Sequence, residues 1–264
     1  MRFGGRNVEE IKEFEKHGGT HIVLVRIPPP TEDGRYIESY EETLRLADHV
    51  RKNTNVKVFV VLGPYPVELL RLERKLGFEK AKEAMKKGVE SAAKYVEDGK
   101  VIAIGEVGRP HFPVDERIWN ASNEIMQYSM SVAKDAGCPV QLHTESAGPD
   151  NFKELATMAD KVGLAREKVI KHFSAPVVEE GKNMGIFPSI IASEKNIMAA
   201  LSQGDRFFME SDYLDDPRRP GAVIAPSNIP RKTKKLLETG VISEETALKI
   251  HKDNPEKIYG VKIE

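Results

Sequence analysis

Apolar residues follow two alternating patterns along this chain. Short runs such as Thr20-His-Ile-Val-Leu-Val-Arg-Ile27, Val56-Lys-Val-Phe-Val-Val-Leu62 and Val169-Ile-Lys-His-Phe173 have the look of buried strands. Between them lie longer stretches with apolar residues at helical spacing, such as Tyr40, Leu44, Ala47 and Val50. The pattern predicts seven strands, near 20–27, 56–62, 101–105, 138–143, 169–173, 186–191 and 206–211. Helices are predicted from Asn7, over 38–53, over 66–97 in two pieces broken at Gly77, and over 115–136, 149–163, 175–184, 193–203 and 231–259. Asn7 is placed to cap the first helix, with Glu10 at the capping-box position. Pro28-Pro-Pro30 is expected to end the first strand, and a Pro-rich loop, 215–230, to precede the last helical stretch.

Strands that alternate with helices throughout predict βαβ units on a parallel sheet. With 264 residues and no linker or low-complexity tract, the expected architecture is α/β, a single TIM-like (β/α) barrel domain spanning 1–264. The first strand of such a barrel is missing or degenerate here. The chain opens on a helix, and Met1-Arg-Phe3 is too short and too charged to stand in for a strand.

The strand ends change this picture from fold to chemistry. The run Val101-Ile-Ala-Ile104 stops at Gly105-Glu106, before a rigid loop with Gly108, Pro110 and Pro113. Three later strands end in His143, His172 and Asp212. In a closed parallel barrel these ends share one mouth. Two imidazoles and two carboxylates suit a hard or borderline divalent cation, Zn, Mn, Mg or Fe. Each residue also has a structural alternative: Glu106 pairing with Arg109 across the loop, or Asp212 capping the turn at Tyr213. His111, in the loop beyond Glu106, is a candidate substrate or metal contact, and Arg109 and Tyr213 are further substrate candidates. His17, His49 and His251 are expected to be solvated on helices. Trp119 and Phe207-Phe208 are expected to be core or helix-packing residues, and Arg231-Lys-Thr-Lys-Lys235 to form a solvated helix face.

Charge and cysteine content narrow the classes further. A net charge of −1 gives no global attraction to nucleic acid or membrane, so a nucleic-acid substrate has to be held locally. No apolar run approaches the ~20 residues of a membrane-spanning helix. The single cysteine, Cys138, excludes an intrachain disulfide and a thiolate metal cage, which points to the cytoplasm.

Five motifs carry a resemblance to a known family: Gly105-Glu-Val-Gly108, Gln141-Leu-His-Thr-Glu145, Lys171-His-Phe-Ser174, Glu210-Ser-Asp-Tyr213 and Asn254-Pro-Glu-Lys-Ile-Tyr-Gly260. With them the chain resembles the TatD family of metal-dependent hydrolases, amidohydrolase-like barrels, and most closely its archaeal TatD-related branch. The resemblance implies a TIM-like barrel with a one- or two-metal centre and DNase or exonuclease activity on phosphodiesters. It implies that Glu106 bridges two metals, that His143 and His172 complete one site, and that Asp212 ligates the other and serves as the base. The family's first strand ends in a His-X-His pair that this sequence lacks. Either the chain starts downstream of the true start, or the strand has been lost. In both cases hydrolysis is expected to be impaired, improving if a His-X-His strand is restored, and an open sheet edge is expected to favour a homodimer. The alternatives are an amidase- or lactonase-type carbonyl hydrolase and a catalytically inert barrel with a binding role.

Overall fold

The computed structural model describes residues 1–27, 32–146, 148–216 and 224–264. The expected Pro28–Pro30 stop and the middle of the 215–230 loop lie outside the described residues. Seven parallel strands, β1 (His21–Val25), β2 (Lys57–Leu62), β3 (Ala103–Gly108), β4 (Val140–His143), β5 (Val169–Lys171), β6 (Phe187–Ile191) and β7 (Phe208–Glu210), lie in the sheet in chain order. They curl into a TIM-like α/β half-barrel whose described outer strands, β1 and β7, each have one neighbour.

The helices cover the outside of the sheet. They are α1 (Asn7–Lys16), α2 (Ile37–Asn53), α3 (Glu68–Leu76), α4 (Phe78–Glu97), α5 (Glu116–Asp135), α6 (Pro149–Val162), α7 (Glu180–Asn183), α8 (Glu194–Leu201), α9 (Asn228–Glu238), α10 (Glu244–Leu248) and α11 (Asn254–Tyr259). Their apolar faces form as the spacing requires: α4 buries Ala81, Ala84, Met85, Val89, Ala92 and Ala93 on one side. One large core runs from Ile11 through Ile104 and Met126 to Ile186. A second gathers Ile190, Ile197, Phe207, Leu236 and Ile250 behind the last strands. Phe207 is buried, Phe208 meets Phe187 at a tilt and stacks on Tyr259, and Trp119 is half-buried under Arg109 on α5.

Several boundaries differ from expectation, each for a local reason. Asn7 does not cap α1. It is the first helical residue, buried, and its Nδ2 donates to the Arg2 carbonyl at 2.6 Å. The helix expected over 175–184 shrinks to the single turn of α7. The stretch 231–259 is not one helix. Gly240 turns with positive φ, Ser243 caps α10 by accepting from the Thr246 N–H, and a five-residue π turn, Lys249–Asp253, leads into α11. That π turn brings His251 inside, where its Nε2 lies 2.8 Å from Thr233 Oγ1, so His251 is not the solvated residue expected. Burial pushes its pKa down to about 4.

Candidate metal centre

β3 extends past the point where its apolar run ends, so Glu106 lies within the strand rather than beyond it. The register with β4 runs Gly105 opposite Gln141 and then Val107 opposite Leu142, which leaves Glu106 as an extra, bulged residue. A bulge of this kind re-aims a side chain. The neighbouring glycine keeps the two strand ends close. A Cβ on Gly108, whose φ is 139°, would stand 2.2 Å from the His143 carbonyl oxygen. Just beyond it, the Arg109 N–H donates to that same carbonyl at 2.9 Å.

The result is a cluster of three donors from three adjacent strands. Glu106 Oε2 is 3.5 Å from His143 Nδ1, and Glu106 Oε1 is 3.5 Å from His172 Nε2. One donor atom from each of Glu106, His143 and His172 lies within 4.8 Å of the others. His172 is buried, while Glu106 and His143 are half-buried. Asp212, expected to end the last strand, lies two residues beyond β7. Its Oδ1 is 3.8 Å from His172 Nε2, so it adjoins the cluster through that ring.

The charges of these groups are strongly coupled. Burial works against a charged His172, but Glu106, Glu210 and Asp212 outweigh it and push its pKa up to about 10. Burial also works to raise Glu106, yet His172, His143 and Lys171 hold its carboxyl below the ordinary carboxylate value. Asp212 is raised to about 6, first by burial and then by Glu106 and Glu210, against the pull of His172. Three carboxylates thus surround one imidazole, an excess of negative charge that a divalent cation relieves. Nδ1 of His143 is buried and makes no hydrogen bond, an orphaned lone-pair site facing Glu106. This donor set fits a borderline divalent cation.

The remaining sequence candidates divide. His111 joins the cluster's rim, with its Nδ1 2.9 Å from His143 Nε2. Arg109 does not pair with Glu106 and does not reach the mouth. Its side chain is fully buried, bonded to Glu145 through Nε (3.1 Å) and Nη2 (2.6 Å), to Glu154 (2.8 Å) and to Asn123 (3.0 Å), and stacked on Trp119. Its carboxylate partners lie far along the chain, which is why a local reading assigned it to the loop. Burial raises the Tyr213 phenol to about 12, with Asp215 and Glu10 adding to the rise.

Three residues escaped the sequence reading. Glu210 Oε2 accepts from His172 Nδ1 at 3.0 Å and from Ser189 Oγ, while its Oε1 accepts from the Phe173 N–H at 2.8 Å. Its signal was its place two residues before Asp212. Lys171, buried beside His172, donates to the His172 carbonyl at 2.6 Å, and burial lowers its pKa to about 8. Tyr65, just past β2, places its Oη 3.4 Å from His143 Nε2. Phe173, next to His172, and Asp212, beyond β7, both hold positive φ, 49° and 46°, so the backbone is strained at two points beside the donors.

The family model described as TatD related DNase matches residues 2–260. The chain belongs to that family. It is 43% identical over 262 residues to the uncharacterized protein MJ1127 of Methanocaldococcus jannaschii, covering 98% of this chain and 92% of that one. Among solved structures, the phosphotriesterase homology protein from Escherichia coli, complexed with phosphate in its active site, superposes with a TM-score of 0.63 at 13% identity. That match covers 96% of this chain and 88% of the other. A mutant PTE-like lactonase from Deinococcus radiodurans gives a TM-score of 0.65 at 12% identity, covering 96% and 85%. At these identities the two structures establish the barrel fold only. The TatD-related chain therefore has its family's hydrolase fold with a candidate cation site of Glu106, His143 and His172 at the strand ends. Among the described residues, no helix is long and apolar enough to cross a membrane.

Proposed function

We propose that this TatD-family chain is a divalent-metal-dependent phosphodiesterase. The observation that carries the reading is the convergence of Glu106, His143 and His172 within 4.8 Å, with an orphaned His143 Nδ1 turned toward Glu106. These three residues would hold Zn, Mn or Mg, and Asp212 stands beside them. A divalent cation bound there supplies Lewis-acid polarisation of a phosphoryl oxygen and makes water nucleophilic at neutral pH.

The chain's own groups do the rest. Glu210 fixes the His172 ring so that its Nε2 points at Glu106 and Asp212. Asp212, with a carboxyl raised to about 6 by burial, is a carboxylate at neutral pH and is placed to take a proton from attacking water. Lys171 braces the ends of β4 and β5 through the Thr144 (3.5 Å) and His172 carbonyls. The substrate is a small-molecule or nucleic-acid phosphodiester, held locally at the mouth because the net charge is only −1.

The test is hydrolysis of bis(4-nitrophenyl) phosphate and a 3′-labelled oligonucleotide by chain loaded with Mn, Zn or Mg, beside a lactone and an aryl carboxylic ester. Phosphodiester turnover that chelation removes and Glu106→Gln abolishes supports the reading. Turnover confined to the lactone or carboxylic ester moves the activity to carbonyl hydrolysis, and turnover indifferent to chelation overturns it.

A further inference from the structure

The two nitrogens of His143 face different neighbours. Nδ1 is buried and turned toward Glu106 Oε2 at 3.5 Å without forming a hydrogen bond. Nε2 faces outward, 2.9 Å from His111 Nδ1 and 3.4 Å from Tyr65 Oη. Both partner rings meet the His143 ring edge-on, with centroids 5.1 Å and 5.0 Å away. We infer that His111 and Tyr65 are positioning residues for His143: they keep its proton on Nε2 and its lone pair on Nδ1, aimed at Glu106. The inference rests on the reading of Glu106, His143 and His172 as cation ligands.

The argument is one of proton bookkeeping. A neutral imidazole has one N–H and one lone pair, and the hydrogen bond made by one nitrogen decides which is which. A proton on Nδ1 would face Glu106 Oε2 at 3.5 Å and occupy the lone pair a cation needs, so the partners of Nε2 must outweigh that carboxylate. A proton on Nε2 is donated to His111 Nδ1, with Tyr65 Oη as a second, longer-range acceptor. His111 then keeps its own proton on Nε2, which its exposed position leaves free for water. Burial, with Glu106 and Asp212, pushes the Tyr65 phenol up to about 12, so it stays an uncharged partner.

The sequence holds both partners stiffly. His111 lies between Pro110 and Pro113, and Tyr65 follows Gly63-Pro64 at the end of β2. The loops after β2 and β3 thus clamp a ring carried by β4. Neither residue is itself a ligand: both act through His143. Such outer partners typically change metal affinity by about 10–100-fold when removed.

Two readouts test this without relying on turnover. In metal-free protein near pH 8, 15N NMR of the imidazoles should show His143 as the Nε2–H tautomer, shifting to a mixture in the His111→Ala/Tyr65→Phe double variant. An Nδ1–H tautomer in the native chain, or an unchanged tautomer in the double variant, overturns the inference. In calorimetric Zn²⁺ titrations, His111→Ala should bind about 10-fold more weakly. The double variant should be weaker again, and His111→Asn, which keeps an acceptor, should recover most of the loss. The metal-free melting temperature of His111→Ala should stay that of the native chain, since His111 is exposed. If the native chain binds Zn²⁺, His143→Ala does not, and the double variant binds as the native chain does, the positioning role is overturned while the cation site stands. If native chain and His143→Ala bind alike or not at all, the cation reading fails and the tautomer measurement alone decides the role of His111 and Tyr65.

Discussion

Glu210 Oε2 stands 3.0 Å from His172 Nδ1, and this pair turns the other nitrogen of the same ring toward Glu106 and Asp212. A carboxylate behind a ligating histidine fixes its tautomer and raises its basicity. Glu210→Ala should therefore weaken Zn²⁺ or Mn²⁺ binding about 10–100-fold by calorimetry. Glu210→Gln should lose about as much, because an amide oxygen kept on the Phe173 N–H leaves an NH2 donor facing Nδ1.

Glu106 is the donor that both histidines share, so its carboxylate is the least replaceable group of the cluster. With cation at about 100 times its dissociation constant, the native chain should gain about 2.7 kcal/mol of stability from binding. Glu106→Gln should lose that gain entirely, read as the absence of a cation-induced rise in melting temperature. Metal-free Glu106→Gln should melt below metal-free native chain, because the ionised carboxyl is held by His172, His143 and Lys171 and contributes to the fold.

The close approach of β3 to β4 at Gly108 predicts a sharp effect from one methyl group. Gly108→Ala would drive a Cβ to 2.2 Å from the His143 carbonyl oxygen and force a side chain onto a φ of 139°. The variant should be destabilised by more than about 2 kcal/mol. Cation affinity should fall with it, since the same shift separates Glu106 from His143. Urea denaturation and Zn²⁺ titration of the one variant report both effects.

Arg109 is fully buried against Glu145, Glu154 and Asn123, which ties the loop after β3 to the loop after β4 and to α6. Arg109→Met should cost about 3 kcal/mol in urea denaturation, the low end for an opened buried pair, because both carboxylates keep some contact with water. Arg109→Lys should recover only part of it, as an ammonium cannot reproduce the forked contact.

His251 sets a pH dependence away from the cluster. Its pKa falls to about 4 in the folded chain, against 6.5 for the free side chain, because burial disfavours its charged form. Between these values the unfolded chain binds the extra proton and the folded chain does not. The contribution is fully present above the unfolded pKa and is lost as pH falls toward 4. At ~1.4 kcal/mol per pKa unit, the loss is about 2–3 kcal/mol. The drop in urea midpoint from pH 7.5 to 4.5 should be smaller in His251→Asn than in the native chain.

The strands and most helices were legible because a parallel sheet buried on both faces writes itself as unbroken apolar runs, with glycines and prolines between. Residues whose roles depend on long-range register were not. Glu106 read as a loop residue because its apolar run stops at Ile104, whereas β4 keeps the backbone paired through Gly108. Arg109 read as a mouth residue because Glu145 and Glu154 are 36 and 45 positions away. His251 read as solvated because it falls in a polar helical stretch, whereas the breaks after α9 bring it against Thr233, 18 positions away. The donors Glu106, His143 and His172 were visible as strand-end residues. Glu210, behind them, was not, because its function lies in the ring it turns.

The three donors come from β3, β4 and β5, strands that are consecutive in the chain and adjacent in the sheet. A cation there fastens the centre of the sheet and leaves its margins alone. Amide hydrogen exchange with and without Zn²⁺ should show this as a gradient, with slowing greatest in β3 to β5 and least in β1 and β7. The bound ion would divide one continuous sheet into a locked middle and two independently breathing edges.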